Sequence, residues 1–108
     1  MANTFKLKTK ANVGVTTSDV YVVPSATTTV VIGVTLANTT GSNINVGVGI
    51  TRASTDDVSL MKNIPIPQGS SFEFMSGNKV VLESTDTFTA ESDVNNSLDV
   101  ALTIMEIT

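Results

Sequence analysis

The sequence predicts a single all-β domain, an antiparallel β-sandwich of jelly-roll or immunoglobulin-like type with eight to nine short strands. Thr, Val and Ile make up 39 of the 108 residues, and these β-branched side chains favour the pleated surface of a sheet. Apolar and polar residues alternate along several segments, which places one apolar row on one face of each strand. Turn signals recur about every ten residues and leave no room for helical crossovers, so the strands should be mainly antiparallel.

Alternation and turn signals together divide the chain into nine strands. Two long alternating runs flank the segment 38–43, which is rich in Asn, Thr and Gly and is typical of a hairpin loop. The segment 65–70 contains two prolines, which remove backbone donors, so it is predicted to be a loop. The predicted strands are 4–9, 20–23, 28–37, 44–52, 58–63, 71–75, 79–83, 87–91 and 98–107.

The apolar rows of the long strands are predicted to fill the space between two sheets. With 41% apolar residues, a chain of this length can build one core without disulfides. The predicted core residues are Val30, Ile32, Val34, Leu36, Ile44, Val46, Val48, Ile50, Phe72, Phe74, Val100, Leu102 and Ile104.

The composition excludes much catalytic chemistry. The chain has no His, Cys or Trp, so it lacks an imidazole base, a thiol nucleophile and the softer metal ligands. Calcium would need six to eight converging oxygen ligands, and the acids occur only in pairs that are typical of solvated loops. We therefore predict no enzyme, no catalytic residue, no metal and no cofactor. The acidic pairs are Asp56 with Asp57, Glu83 with Asp86, and Glu91 with Asp93.

The N-terminal segment is the candidate site for contact with another protein. Phe5 and Leu7 alternate with Lys6, Lys8 and Lys10, whereas the other 98 residues carry three cations against ten acids. The lysines suit either of two roles: they could pair with an acidic neighbour, or they could protect an edge strand from aggregation. We predict that Phe5 and Leu7 are buried against another chain or at the adjacent sheet edge.

The weakly patterned stretch 11–18 leaves two alternatives for residues 1–18. Eight extended residues span up to about 26–29 Å, so the segment could be a strand followed by an extended arm. The alternative is an ordinary first strand of the protein's own sandwich.

Several classes of partner are not expected. An acidic body repels phosphate backbones, so the sequence does not predict nucleic-acid binding. No run of 18 apolar residues occurs, so no membrane-spanning helix is predicted. The first ten residues have no apolar region, so we expect no signal peptide.

Four stretches of the chain resemble small virion structural proteins of tailed bacteriophages. They are YVVPSATTTVVIGVTLANTT at 21–40, IPIPQGSS at 64–71, GNKVVLESTD at 77–86 and LDVALTIMEI at 98–107. In that group a strand ending in LANTT leads to a hairpin, an IPxG loop follows, and a last strand ends in MEI. The resemblance covers most of the chain from Val20 onward and concerns β-structure, not site residues.

The resemblance implies a role in virion assembly. Its leading form is a capsid decoration (cement) protein that binds the major capsid protein, assembles as a dimer or trimer, and is incorporated into virions in the host cytoplasm. A tail or neck component fits the same features. A module that binds host glycans is the alternative from another class, although such modules rely on exposed aromatic platforms and this chain has no Trp and one Tyr.

Overall fold

The computed structural model describes residues 3–52, 57–74 and 80–108, with the side chain of Phe74 left out. Within these ranges the chain forms nine strands, and it contains no helix that could cross a membrane. The strands are β1 (Asn3–Val13), β2 (Ser18–Val22), β3 (Thr28–Asn38), β4 (Ile44–Thr51), β5 (Val58–Ile66), β6 (Ser71–Phe74), β7 (Val80–Leu82), β8 (Thr87–Ser92) and β9 (Leu98–Ile107).

The strands form two antiparallel sheets packed face to face, which confirms the predicted β-sandwich. The five-stranded sheet has the order β1-β9-β3-β6, with β7 also paired to β3, and the four-stranded sheet has the order β2-β8-β4-β5. The first four strands thus alternate between the sheets, whereas an immunoglobulin domain begins with two strands of one sheet. The observed order is that of a jelly roll, so it decides between the two predicted types.

Most predicted strand boundaries lie within two residues of the observed ones. One exception is β5, which continues to Ile66 through a segment that was predicted as a loop from Pro65 onward. β5 pairs only with β4 and lies at the edge of its sheet. An edge strand tolerates proline because one side of its backbone needs no partner strand.

The core lies between the two sheets and follows the alternation of the long strands. Nine of the thirteen predicted core residues are buried in the described part of the chain: all four in 44–50, all three in 100–104, and Val34 and Leu36. The buried apolar residues are Val13, Tyr21, Val23, Val31, Val34, Leu36, Ile44, Val46, Val48, Ile50, Ile66, Leu82, Phe88, Ala90, Leu98, Val100, Leu102 and Ile104.

The other four predicted core residues are Val30, Ile32, Phe72 and Phe74. Phe72 is 37% exposed, because β6 is short and lies at the edge of its sheet in the described part of the chain. The side chain of Phe74 lies outside the described residues.

The predicted alternation of β3 fails at its first two apolar positions. Val30 and Ile32 are half-buried, whereas Val31 is fully buried. The cause is a β-bulge, because the pairing of β3 with β9 shifts register between Val31 and Gly33 and leaves Ile32 as an extra residue. Since side-chain direction alternates with period two, one extra residue reverses the inward-facing set. From Val34 onward, the residues of β3 that were predicted to face the core are the ones that are buried.

The N-terminal segment is a strand of the protein's own sandwich. β1 pairs with β9 from Asn3 opposite Ile107 to Val13 opposite Leu98, with one irregularity near the end. The predicted strand 4–9 is therefore too short, and the predicted arm 11–18 is reduced to the link 14–17. Of the two alternatives for residues 1–18, the ordinary first strand is the one observed.

A glycine in β4 makes room for a neighbouring backbone. A Cβ atom on Gly49 would lie 2.7 Å from the carbonyl oxygen of Val58 in β5, whereas a Cβ on Gly33 would meet nothing within 4 Å. We expect Gly49→Ala to lower the free energy of unfolding by about 1–3 kcal/mol through overpacking. Gly33→Ala, the matched control, should be neutral or slightly stabilising in the same urea titration. Equal losses in both variants would contradict the close approach.

Candidate interaction surface

The outer face of the five-stranded sheet carries a row of apolar side chains across four strands. Residues directly paired in an antiparallel ladder lie on the same face. Phe5 pairs with Met105, Met105 with Val30, and Val30 with Val81. Phe5 is 71% exposed and Val81 58% exposed. We call these four residues the bulky row.

A row of small side chains crosses the same face four residues further along β1. Thr9 pairs with Ala101, and Ala101 pairs with Thr35; we call these three residues the small row. A shallow hollow of about 340 Å³ opens over this row. Between the two rows lies the middle row, which consists of Leu7, Thr103 and Gly33.

The bulky and middle rows carry no charged side chain. Among the described residues, those with a charge on this outer face are Asp99 and Glu73, which lie beside the small row. Leu7 is 64% exposed and adds to the apolar area of the bulky row. A contiguous exposed apolar patch of this kind is typical of a surface that contacts another protein.

The lysines of β1 lie on the opposite side of the strand, which faces the second sheet. Lys6 and Lys8 pair with Ile104 and Leu102, both of which are fully buried. Inward-pointing charge on an edge strand discourages the addition of further strands. Lys10 occupies the next position of the same face and is exposed.

A buried polar cluster joins the two sheets, and the first two lysines of β1 contact it. Lys6 Nζ lies 2.8 Å from Oε1 of Glu106, and Lys8 Nζ lies 5.8 Å from the centre of the Tyr21 ring. The Tyr21 hydroxyl lies 2.9 Å from Oγ1 of Thr29 and donates a hydrogen bond to Oε2 of Glu106. Tyr21 belongs to the four-stranded sheet, whereas Thr29 and Glu106 belong to the five-stranded one.

The cluster shifts two ionisations in opposite directions. Burial, followed by the hydrogen bond to Glu106, raises the pKa of Tyr21 to about 12. The hydrogen bond from Lys6, followed by that from Tyr21, lowers the pKa of Glu106 below its usual value of 4.5. Both shifts favour a carboxylate that accepts hydrogen bonds from a neutral phenol and an ammonium group.

Alkaline titration of Tyr21 tests this arrangement. Because the pKa of Tyr21 is raised in the folded protein, the neutral phenol stabilises the fold at pH values below its ordinary pKa of 10. This stabilisation is lost as pH rises toward about 12. We expect tyrosinate absorbance to appear late and together with unfolding. The measurement is direct, since the chain has one Tyr and no Trp. A titration midpoint near 10 in a protein that remains folded would contradict the buried cluster.

The predicted acidic pairs form no metal site among the described residues. Glu83 and Asp86 are brought together by Arg52, whose Nε lies 3.2 Å from Oδ1 of Asp86 and whose Nη2 contacts Glu83. Asp56 lies outside the described residues, so its pair with Asp57 is not described.

The outer face of the four-stranded sheet is different in character. Two depressions of about 170 and 250 Å³ lie over β4, where Gly47 lines both, and Lys62 and Glu91 lie at their sides. Tyr21, the one tyrosine, is 6% exposed and so cannot serve as a stacking platform for a sugar.

Comparison with known proteins identifies the fold and no family. No protein-family model matches the sequence, and no curated protein matches it. The chain is similar to a solved structure described as "Bacillus endospore appendages form a novel family of disulfide-linked pili", with a TM-score of 0.60 and 14% sequence identity. The similarity covers 99% of this chain and 87% of that one.

The predicted interface residues divide between the two sides of β1. Phe5 and Leu7 are exposed on the outer face of the single chain, so their burial against another chain stays a prediction. Lys6 and Lys8 lie on the side that faces the second sheet, where Lys6 pairs with Glu106 and stays partly exposed, and Lys8 lies over the ring of Tyr21. Sequence reasoning missed Met105, Val30 and Val81 because only the strand order places them beside Phe5.

Proposed function

We propose that the chain is a structural virion protein, in its leading form a capsid decoration protein that binds and stabilises the major capsid lattice. The observation that carries this proposal is the exposed, uncharged apolar face formed by the bulky and middle rows. A monomeric protein rarely exposes such a face unless another protein covers it.

Other features of the chain support a structural role. The sandwich interior is filled by its own side chains, and the polar groups at the centre of the molecule are joined to one another. The resemblance of four sequence stretches to small virion proteins of tailed bacteriophages points to the particle as the partner. A tail or neck position fits the same surface.

A filament subunit is the second candidate, and the fold similarity to the appendage protein favours it. Those pili are described as disulfide-linked, whereas this chain has no cysteine. A filament of this chain would therefore be held by non-covalent contacts. A glycan-binding module is less well supported, because Tyr21 is buried.

Copy number in purified particles tests the proposal. Virus particles released by cells that express the chain are purified on a density gradient, and the chain is quantified against the major capsid protein. Hundreds of copies per particle support capsid decoration, whereas six or twelve copies indicate a neck or tail component. Absence from particles, together with filaments of the purified protein in electron micrographs, would favour the second candidate and overturn the first.

A further inference from the structure

We propose that the outer face of the five-stranded sheet binds a second copy of this chain in a two-fold pair, with each bulky row packed over the small row of its partner. This inference rests on the proposed function, because it takes the face described there and assigns it, in the free protein, to a second copy.

Charge permits a second copy as the occupant. The chain carries a net charge of −4, so two copies repel each other wherever their acids meet. The bulky and middle rows carry no charge, and Asp99 and Glu73 lie toward one end of the face. A contact centred on the middle row therefore brings together two acidic proteins without placing acids at its centre.

The surface shape of this face is self-complementary. Leu7 lies midway between Phe5 and Thr9 on β1, so a two-fold axis that crosses the strands above Leu7 places each Phe5 opposite the partner's Thr9. The same axis places Met105 opposite the partner's Ala101. Large side chains thus enter the hollow of about 340 Å³ on the other copy, as an isologous interface requires.

A two-fold axis parallel to the strands would produce a poorer fit. It would set bulky row against bulky row and leave both hollows empty, although protein interfaces are packed as densely as interiors. The axis across the strands is the arrangement that fills them.

The area suits a dissociable dimer. Four strands about 4.8 Å apart and nine residues of β1 at about 3.4 Å each define a face of roughly 500 Å² before side-chain relief is added. Specific interfaces begin near 600 Å² per partner. We therefore expect an equilibrium between monomer and dimer that is visible at micromolar concentrations.

Sedimentation equilibrium of the purified full chain tests the occupant. Wild-type protein should form a dimer, and Phe5→Asp should raise its dissociation constant about 100-fold, because each dimer loses two aromatic contacts and buries two carboxylates. Val22→Asp is the matched control, since Val22 is 53% exposed on the other sheet, and it should leave the dimer intact. Circular dichroism checks that both variants are folded.

Cross-linking tests the axis. Facing sheets lie about 10 Å apart, too far for a direct disulfide, so a short bismaleimide is used on single-cysteine variants of this cysteine-free chain. Leu7→Cys should cross-link to itself, and Phe5→Cys should cross-link to Thr9→Cys in a mixture. Val22→Cys should give no dimer.

Three results would overturn the inference: a monomer throughout the concentration range, a trimer, or dimer loss in Val22→Asp instead of Phe5→Asp. A monomer whose particle binding is abolished by Phe5→Asp would show that a capsid subunit covers the face, so the inference would fail while the proposed function stands. A dimer that is absent from particles would support the inference and overturn the proposed function.

Discussion

Leu102→Ala should lower the free energy of unfolding by about 2–5 kcal/mol, a large part of the 5–15 kcal/mol that stabilises a typical domain. Leu102 is fully buried in β9, which pairs with strands on both sides. Neighbouring backbone is therefore held in place and cannot collapse into the cavity. Urea unfolding followed by circular dichroism measures the loss.

Ile32→Ala is the control that separates the observed core from the predicted one. Both residues belong to the apolar rows predicted from alternation, but Ile32 is the extra residue of the β-bulge and is only half-buried. We expect its truncation to cost clearly less than that of Leu102. Equal losses would mean that Ile32 faces the core and that the bulge is misplaced.

Alternation predicted the strands well because it depends on local sequence alone. The last strand, 98–107, and the start of β4 at Ile44 agree with the observed boundaries. The hairpin predicted at 38–43 is wrong, because β3 and β4 lie in different sheets and the segment crosses between them. The choice between jelly roll and immunoglobulin order was not accessible, because it depends on which distant strands pair. The bulge in β3 was not accessible either, since nothing in the run of residues 30–36 marks the extra residue before its pairing with β9 is known.

The residues of the candidate surface were predicted only in part, because the sequence shows which residues share a face of one strand but not which strands lie side by side. Phe5 and Leu7 were identified from their alternation with lysines, which correctly placed them on one face of a strand. The sequence pattern left open whether they face another chain or the adjacent sheet edge. The structure places them on the outer face, because Glu106 and Tyr21 supply a polar environment for Lys6 and Lys8 on the inner side.

Glu106→Ala should lower the free energy of unfolding by about 2–3 kcal/mol at neutral pH, since hydrogen bonds to charged groups contribute about 1.5–3 kcal/mol each. The main loss is the bond from Tyr21, which is buried between the sheets. The contact with Lys6 adds less, because the Lys6 side chain is 43% exposed and its charge is partly screened by solvent. Tyr21→Phe is the matched variant, because it removes the donor and retains the ring.

Acid should remove the same stabilisation. The pKa of Glu106 is lowered in the folded protein, mainly by Lys6 and then by Tyr21. The ionised carboxylate therefore stabilises the fold above the ordinary pKa of 4.5, and this stabilisation is lost as pH falls through the pKa of the folded state. The stability difference between wild type and Glu106→Gln should therefore be constant at neutral pH and narrow below pH 4.5. Urea titrations at a series of pH values measure it. If the stability difference between the two proteins stays constant into strong acid, Glu106 is not ionised in the cluster. The two sheets would then be linked there by a neutral hydrogen bond.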